Sequence, residues 1–263
     1  MLGGGAVGTL GGLIGLGGAE FRLPLLIGPF GFGALDAVIL NKAMSLVVVA
    51  SALPLRFGAV PLGAVLEHWP VILNLLAGSV AGAWFGAGWA TRLRSTTLYK
   101  VIAACLMLIA FVLLLGHSGS GAPLLTGPAQ FAAGVVAGFG IGVVASLLGV
   151  AGGELLIPTL VLLYGVDLKL AGSLSLAVSL PTMVAGFLRY SQDRSFAVLG
   201  RNWRFALLMA AGSMAGSFIG ARILLGLMPD EVLLPLLALI LLLSAVKVWM
   251  HAASAAKPVA GCS

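Results

Sequence analysis

The sequence predicts an all-α integral membrane protein, on the evidence of its composition, its apolar stretches and an internal repeat. Of its 263 residues, 60% are hydrophobic and 8% are charged, whereas a soluble domain contains about 25% charged residues. Apolar stretches of about 18 residues or more, each long enough to cross roughly 30 Å of hydrocarbon, recur along the whole chain. No segment is polar enough to form a separate soluble domain, so we expect one membrane domain of about eight spans.

The internal repeat divides this domain into two tandem halves. At a constant offset of 134 residues the halves align over a long stretch without a gap, and uncommon Glu, Pro and Trp residues align together with the glycines. The aligned pairs include Glu20 with Glu154, Pro24 with Pro158, Ser45 with Ser179 and Trp69 with Trp203. We therefore predict a first transmembrane repeat at residues 1–116, a linker at 117–130 and a second transmembrane repeat at 131–263.

Each repeat begins with an element that glycines interrupt. In the second repeat this element covers residues 131–164, which would measure about 51 Å as one continuous helix, too long for a single straight span. Glycine runs at 149–153, and at 15–18 in the first repeat, favour either unwinding or a sharp reversal of the chain. Three spans follow in each repeat, at residues 36–56, 69–91 and 98–116 in the first and 170–190, 203–225 and 232–250 in the second.

The basic residues between the spans favour an inverted orientation of the two repeats. The residues counted are Arg56, Arg92, Arg94, Lys100, Arg189, Arg194, Arg201, Arg204 and Arg222. Parallel repeats would place five of them on one membrane face and four on the other, whereas inverted repeats place seven and two. The positive-inside rule therefore favours inversion with both termini in the cytoplasm, and inversion requires each broken element to enter the membrane and return.

A GxxxGxxxG motif marks the span at 69–91 and its counterpart in the second repeat. It consists of Gly78, Gly82 and Gly86 in the first repeat and Gly212, Gly216 and Gly220 in the second. These glycines fall on one helix face, where the absence of side chains lets another helix approach closely. We interpret the motif as a helix-packing surface, with the lining of a transport pathway as the alternative.

The two breaks are the candidate binding site for a ligand. Unwound backbone within a membrane must be satisfied by protein or line a wet cavity, and the free N–H groups at the start of a half-helix attract an anion. If two such ends meet near the membrane midplane, we expect them to bind an anion through Gly17 and Gly18 of the first break and Gly152 and Gly153 of the second.

Two acids lie in the first turns of the half-helices that follow the breaks. Glu20 and Glu154 either cap the helix dipole or bind a proton or cation, and the cost of burying an acid at membrane depth favours a functional role. Arg22 follows Glu20, but Leu156 occupies the corresponding position of the second repeat. Arg22 pairs with an acid or binds a solute, and the sequence does not separate these alternatives.

Polar residues on the span after each break complete the candidate substrate-binding site. Asn41 and Ser45 are four residues apart and so share a helix face, and Ser175 and Ser179 are their counterparts in the second repeat. Lys42 either extends to the membrane interface or faces the cavity as the counter-charge of a bound anion.

Several motifs in both halves point to a known family. They are the glycine-rich segments with a following proline at 15–24 and 149–158, the segments NKAMSL and GSLSLAVSLPT, and the paired AGSxAG segments. Together they resemble the TauE/SafE sulfite exporter family of bacterial membrane proteins over nearly the whole chain. The resemblance implies two similar halves, and a permease of the bacterial inner membrane that carries, and often exports, sulfite, sulfonates or related small organic anions.

These observations favour secondary transport of a small anion by alternating access, with Glu20 or Glu154 carrying a coupled proton. A passive anion channel is the alternative. An enzyme is not expected, because no HExxH, GxSxG or cysteine–histidine arrangement lies within a span and no ATP-binding glycine loop is present. We expect an anionic solute and the lipid bilayer as partners, consider a homo-oligomer compatible with the sequence, and expect no cofactor, no bound metal and no nucleic acid.

Overall fold

The computed structural model describes residues 19–56, 62–115, 123–219, 239 and 242–250, and every regular element among them is helical. These elements are α1 (Ala19–Ile27), α2 (Ala34–Arg56), α3 (Leu62–Glu67), α4 (Trp69–Ala90), α5 (Ser95–Leu115), α6 (Gly127–Leu148), α7 (Gly153–Tyr164), α8 (Leu168–Tyr190), a 3-10 turn (Arg194–Phe196), α9 (Ala197–Arg201) and α10 (Trp203–Ile219), followed by helical residues 242–250. The predicted break at 15–18, with Gly17 and Gly18, lies outside the described residues, as does Gly220.

The described helices confirm an all-helical, membrane-spanning architecture. Five of them are long and apolar enough to cross a membrane, namely α2, α4, α5, α6 and α8. The spans predicted at 36–56, 69–91, 98–116 and 170–190 agree with the bounds of α2, α4, α5 and α8 to within three residues. α6 begins at Gly127, four residues inside the predicted linker.

The closest helix packing in the described part of the chain joins α4 to α6. A side chain at any of the three motif glycines of α4 would collide with the α6 backbone, at Val135, Phe139 or Val143. α6 has glycines of its own in this contact, since a side chain at Gly138 or Gly142 would collide with the backbone of α4. The packing interpretation is therefore confirmed for the first-repeat motif.

α6 and α7 form a helical hairpin around the second break. The break joins them at one end, and at the other end the two helices are held together by hydrogen bonds. The backbone N–H of Leu124 donates to the carbonyl of Leu162 at 2.9 Å, and Nε2 of Gln130 donates to the carbonyl of Leu163 at 2.8 Å. The chain therefore reverses at the break, and the broken element of the second repeat is not a kinked span.

α4, α6 and α8 run in the same direction. The contacts that show this are Gly78 with Val135 and Gly86 with Val143 for α4 and α6, and Ser79 with Thr182 and Gly88 with Arg189 for α4 and α8. The start of α1, the end of α6 and the middle of α2 converge at one point, and the polar residues of the candidate site lie there.

Candidate functional site

The second break is a tight turn that depends on two glycines in the left-handed conformation. Gly149 ends α6 with φ of 67°, and Gly152 precedes α7 with φ of 79°, a region in which other residues are strained. Gly149 also lies directly against α2, where a side chain would collide with the carbonyl of Val38. The predicted break is therefore confirmed in the second repeat, and α2 packs on it.

Glu20 and Glu154 meet at the starts of two half-helices. Each lies in the first turn of its helix, α1 or α7, and their exposed fractions are 2% and 3%. Their carboxyl groups lie close enough to interact directly with each other. The two acids therefore form one carboxyl pair. The Oε2 atom of each accepts no hydrogen bond from the described residues.

Arg22 lies at the centre of a buried polar cluster. Its guanidinium donates three hydrogen bonds to neutral acceptors, from Nε to Oδ1 of Asn41 at 3.2 Å, from Nη2 to Oγ of Ser45 at 2.7 Å and from Nη1 to Oγ of Ser213 at 3.3 Å. Glu20 acts on Arg22 through space and is not one of these three hydrogen-bond partners. We call Arg22, Asn41, Ser45 and Ser213 the arginine cluster.

Asn41 links the arginine cluster to the ends of two helices, the start of α1 and the end of α6. Its Nδ2 atom donates to the carbonyl of Ala19, at the start of α1, and to the carbonyl of Leu148, at the end of α6, both at 3.0 Å. Its Oδ1 atom accepts from Arg22. Because both donors and an acceptor position are occupied, Asn41 holds α1 and α6 in place relative to each other.

Lys42 is fully buried and does not extend to the surface of the protein. Its Nζ atom donates to the carbonyl of Ala145 at 3.3 Å and to that of Val150 at 3.4 Å. These carbonyls lie on either side of the turn at Gly149, where a positive charge is favoured by the dipole at the end of α6. Lys42 therefore braces the second break from the opposite half of the chain.

The corresponding positions of the second repeat are arranged differently. Ser175 donates to the carbonyl of Gly172 in its own helix at 2.9 Å. The Oγ atom of Ser179 is buried and has no hydrogen-bond partner among the described residues, and the nearby position that corresponds to Arg22 is Leu156. The hydroxyl of Ser179 thus remains available to donate a hydrogen bond to a ligand, whereas the proton of Ser175 is used within α8.

A second hydrogen-bonded contact involves residues that the sequence analysis did not select. Oγ of Ser79 on α4 lies 2.7 Å from Oγ1 of Thr182 on α8, and Thr182 donates to the carbonyl of Val178 at 2.8 Å. Because the Thr182 proton is used in that bond, Ser79 is the donor to Thr182. Ser79 and Ser213 occupy the same place in the two AGSxAG segments, and this pairing beside the glycine motif was the signal that could have identified both.

The structure buries the predicted site residues that it describes, and it brings the start of α1 and the second break together on α2. Glu20, Asn41, Lys42, Ser45, Glu154, Ser175 and Ser179 are all buried, and Gly152 and Gly153 lie at the start of α7 beside them. The site is therefore closed to solvent in this structure. An open apolar groove on the outer face of α4, lined by Leu73, Trp84 and Phe85 among others, is on the opposite side of that helix from Ser79.

Comparison with known proteins identifies the family. The family model described as sulfite exporter TauE/SafE matches residues 1–248 of the chain. No curated protein and no solved structure matches it. The chain has five described helices long enough to span a membrane, and the family match covers nearly its whole length. The protein is therefore a multi-pass membrane protein that belongs to the TauE/SafE sulfite exporter family of transporters.

Proposed function

We propose that this protein is a secondary transporter that exports a small anion, such as sulfite, a sulfonate or a related organic acid, across the bacterial inner membrane. The observation that carries the proposal is the buried polar centre in which the two half-helix starts meet at Glu20 and Glu154. Half-helix N–H groups favour a negative charge, and intramembrane ionisable residues mark the pathways of solutes and protons. Transport then proceeds by alternating access around this centre.

We further propose that the two halves are inverted repeats. The helices support this, because α1 and α7 begin 134 residues apart, at Ala19 and Gly153, and α2 and α8 begin and end at the same offset. α8 runs parallel to α4, whereas parallel repeats would give α8 the direction of α2, the span that precedes α4. Inverted repeats are the arrangement that alternating access uses in other transporters.

The anion site consists of groups from both halves. We assign it to the amide groups at Gly152 and Gly153, with Ser175 and Ser179, and to Asn41, Lys42 and Ser45 on the other side, together with Gly17 and Gly18. Ser179 has a free hydroxyl, so it can bind the anion without losing another bond. Asn41 and Ser45 contribute through the arginine cluster that they form with Arg22.

The carboxyl pair is the proposed site of proton coupling. Two ionised carboxylates in contact repel each other strongly, whereas one shared proton lets the protonated acid donate a hydrogen bond to the ionised one. Glu20 and Glu154 thus form a single proton site. Loss or gain of that proton changes the charge facing the anion site, which links proton movement to anion affinity.

Counterflow in liposomes tests the function. Purified protein is reconstituted with methanesulfonate inside, and uptake of labelled methanesulfonate or sulfite is measured. We expect exchange that saturates with concentration and that a pH gradient drives uphill. Flux that is insensitive to proton and sodium gradients would instead support the passive channel. Absence of flux for sulfite, sulfonates and carboxylates would refute anion transport.

Replacing either acid by glutamine tests proton coupling. Gln retains the size and hydrogen bonding of Glu but cannot ionise, so Glu154→Gln and Glu20→Gln are each expected to abolish uphill uptake driven by a pH gradient while leaving counterflow measurable. Glu67→Gln, at an exposed position on α3, is the matched control and should behave as the wild type. An unchanged pH profile in both site variants would remove the carboxyl pair from the mechanism.

A further inference from the structure

Arg22 has the hydrogen-bonding geometry of an anion ligand. A guanidinium has five N–H groups, one on Nε and two on each terminal nitrogen. In the arginine cluster each nitrogen donates one hydrogen bond. One N–H on Nη1 and one on Nη2 therefore remain without a described partner. N–H groups on the two terminal nitrogens of a guanidinium provide the fork by which arginine binds two oxygens of one oxyanion.

The surroundings of Arg22 hold its guanidinium in place through neutral acceptors. Its three hydrogen-bond partners, on α2 and α10, are an amide and two hydroxyls, while Glu20 acts on it only through space. The side chain is fully buried, which makes a bond to a charged ligand stronger than it would be in water. A buried guanidinium with no carboxylate among its hydrogen-bond partners is costly, and a bound oxyanion that accepts from its remaining N–H groups offsets part of that cost.

Lys42, the other buried cation nearby, is less suited to this function. Its two bonds go to backbone carbonyls on either side of the second break, where it stabilises the turn. A lysine ammonium is a compact point charge and does not match the planar spacing of two oxyanion oxygens.

We propose that Arg22 is the specificity-determining ligand of the transported anion, and that Ser45 and Ser213 are positioning residues that hold its guanidinium. The substrate class follows from the fork: a small oxyanion with at least two oxygens on one atom, as in a sulfonate or sulfite. This inference rests on the proposed function and adds to it a residue that discriminates an oxyanion from a monatomic anion of the same charge.

Equilibrium binding of methanesulfonate to the purified protein in detergent tests the inference. Arg22→Leu places at position 22 the residue that the second repeat has at Leu156. We expect it to raise the Kd for methanesulfonate by about 30-fold or more, because one partner of a buried charged contact is lost. Arg204→Leu, at an exposed position at the start of α10, is the matched control and should leave the Kd unchanged.

A second variant keeps the inference testable if Arg22→Leu does not fold. Arg22→Lys retains the charge but not the fork, so the chloride concentration that displaces half of the bound methanesulfonate should fall. A residue with a merely structural function would leave this selectivity unchanged. The inference is wrong if the wild type binds methanesulfonate and folded Arg22→Leu binds it with an unchanged Kd, or if Arg22→Lys keeps the wild-type selectivity. Either result would leave the proposed function intact. No anion binding or counterflow by the wild type would instead overturn the proposed function.

Discussion

The two halves of the chain place different residues in equivalent helices around the polar centre. In the first half, Arg22 is bonded to Asn41 and Ser45 and reaches Ser213 on α10. In the second half, Leu156 stands at the position of Arg22, and the hydroxyl of Ser179 has no partner among the described residues. The helices match at a constant offset, but the hydrogen bonds between them do not.

This difference separates two tasks that a binding site must perform. The first half has most of its polar atoms engaged, so it can hold a buried charge in one position. The second half keeps a polar atom available, at the cost of an unsatisfied buried hydroxyl in the empty site. A ligand between them would be oriented by the first half and would complete the hydrogen bonds of the second.

The largest effect is expected when the arginine is added to the second half. Leu156 is 1% exposed and packs in an apolar cluster with Leu160 and Leu174. Leu156→Arg would bury a charge where Ser175, already bonded within its own helix, replaces the asparagine of the first half. We expect a loss of about 3–5 kcal/mol in the free energy of unfolding, as for other buried charges without a partner.

Thermal unfolding in detergent, monitored by size-exclusion chromatography, measures this loss of stability. Leu156→Met preserves the side-chain volume and should cost less than about 1.5 kcal/mol. If Leu156→Arg were as stable as Leu156→Met, the second half could hold a guanidinium as well as the first does. The difference between the halves would then not be structural.

The sequence predicted the helices well because their signals are local. Apolar length defined α2, α4, α5 and α8, and a glycine run located the break at Gly149. The reversal at that break could not be predicted from the glycines, because glycine permits an unwound segment and a hairpin equally, and only the loop charges favoured a return of the chain. The bonds at Leu162 and Leu163 that show the hairpin depend on tertiary contacts.

The arginine cluster could not be predicted from the sequence either, because it also depends on tertiary contacts. Arg22 and Ser213 are 191 residues apart, and no local pattern in the sequence connects them. Lys42 illustrates a second limit. Its position in the sequence was compatible with the interface and with the cavity, and only the fold shows that its ammonium braces the break between Ala145 and Val150.

An intermediate effect is expected when the asparagine of the first half is compared with its serine counterpart. Asn41→Ala removes three hydrogen bonds and leaves Nε of Arg22 and the carbonyl of Leu148, at the end of α6, without the partner that Asn41 provides. Since an unsatisfied buried group costs about 1–3 kcal/mol, we expect a loss near the upper end of that range or above it. Ser175→Ala removes one bond within α8 and should cost about 1 kcal/mol or less.

Urea or guanidinium unfolding of the two variants in mixed micelles, monitored by circular dichroism, provides the comparison. Equal losses for Asn41→Ala and Ser175→Ala would contradict the assignment of Asn41 as the residue that joins α1 to α6.

The smallest change in stability is expected at the paired serines, where stability and binding should separate. Ser45→Ala removes a 2.7 Å hydrogen bond from Arg22. Because bonds to charged groups contribute about 1.5–3 kcal/mol, the free energy of unfolding of this variant should fall by about the lower value.

Ser179→Ala removes a hydroxyl that has no partner among the described residues, so the protein without ligand should be as stable as the wild type or slightly more stable. If Ser179 contributes to the anion site, the same variant should raise the Kd for methanesulfonate severalfold. Thermal unfolding with and without methanesulfonate distinguishes these effects, because Ser179→Ala should reduce the stabilisation by ligand and not the starting stability. A Ser179→Ala variant that loses stability in the absence of ligand and keeps its full response to methanesulfonate would show that Ser179 has an internal partner, and that the second half is as closed as the first.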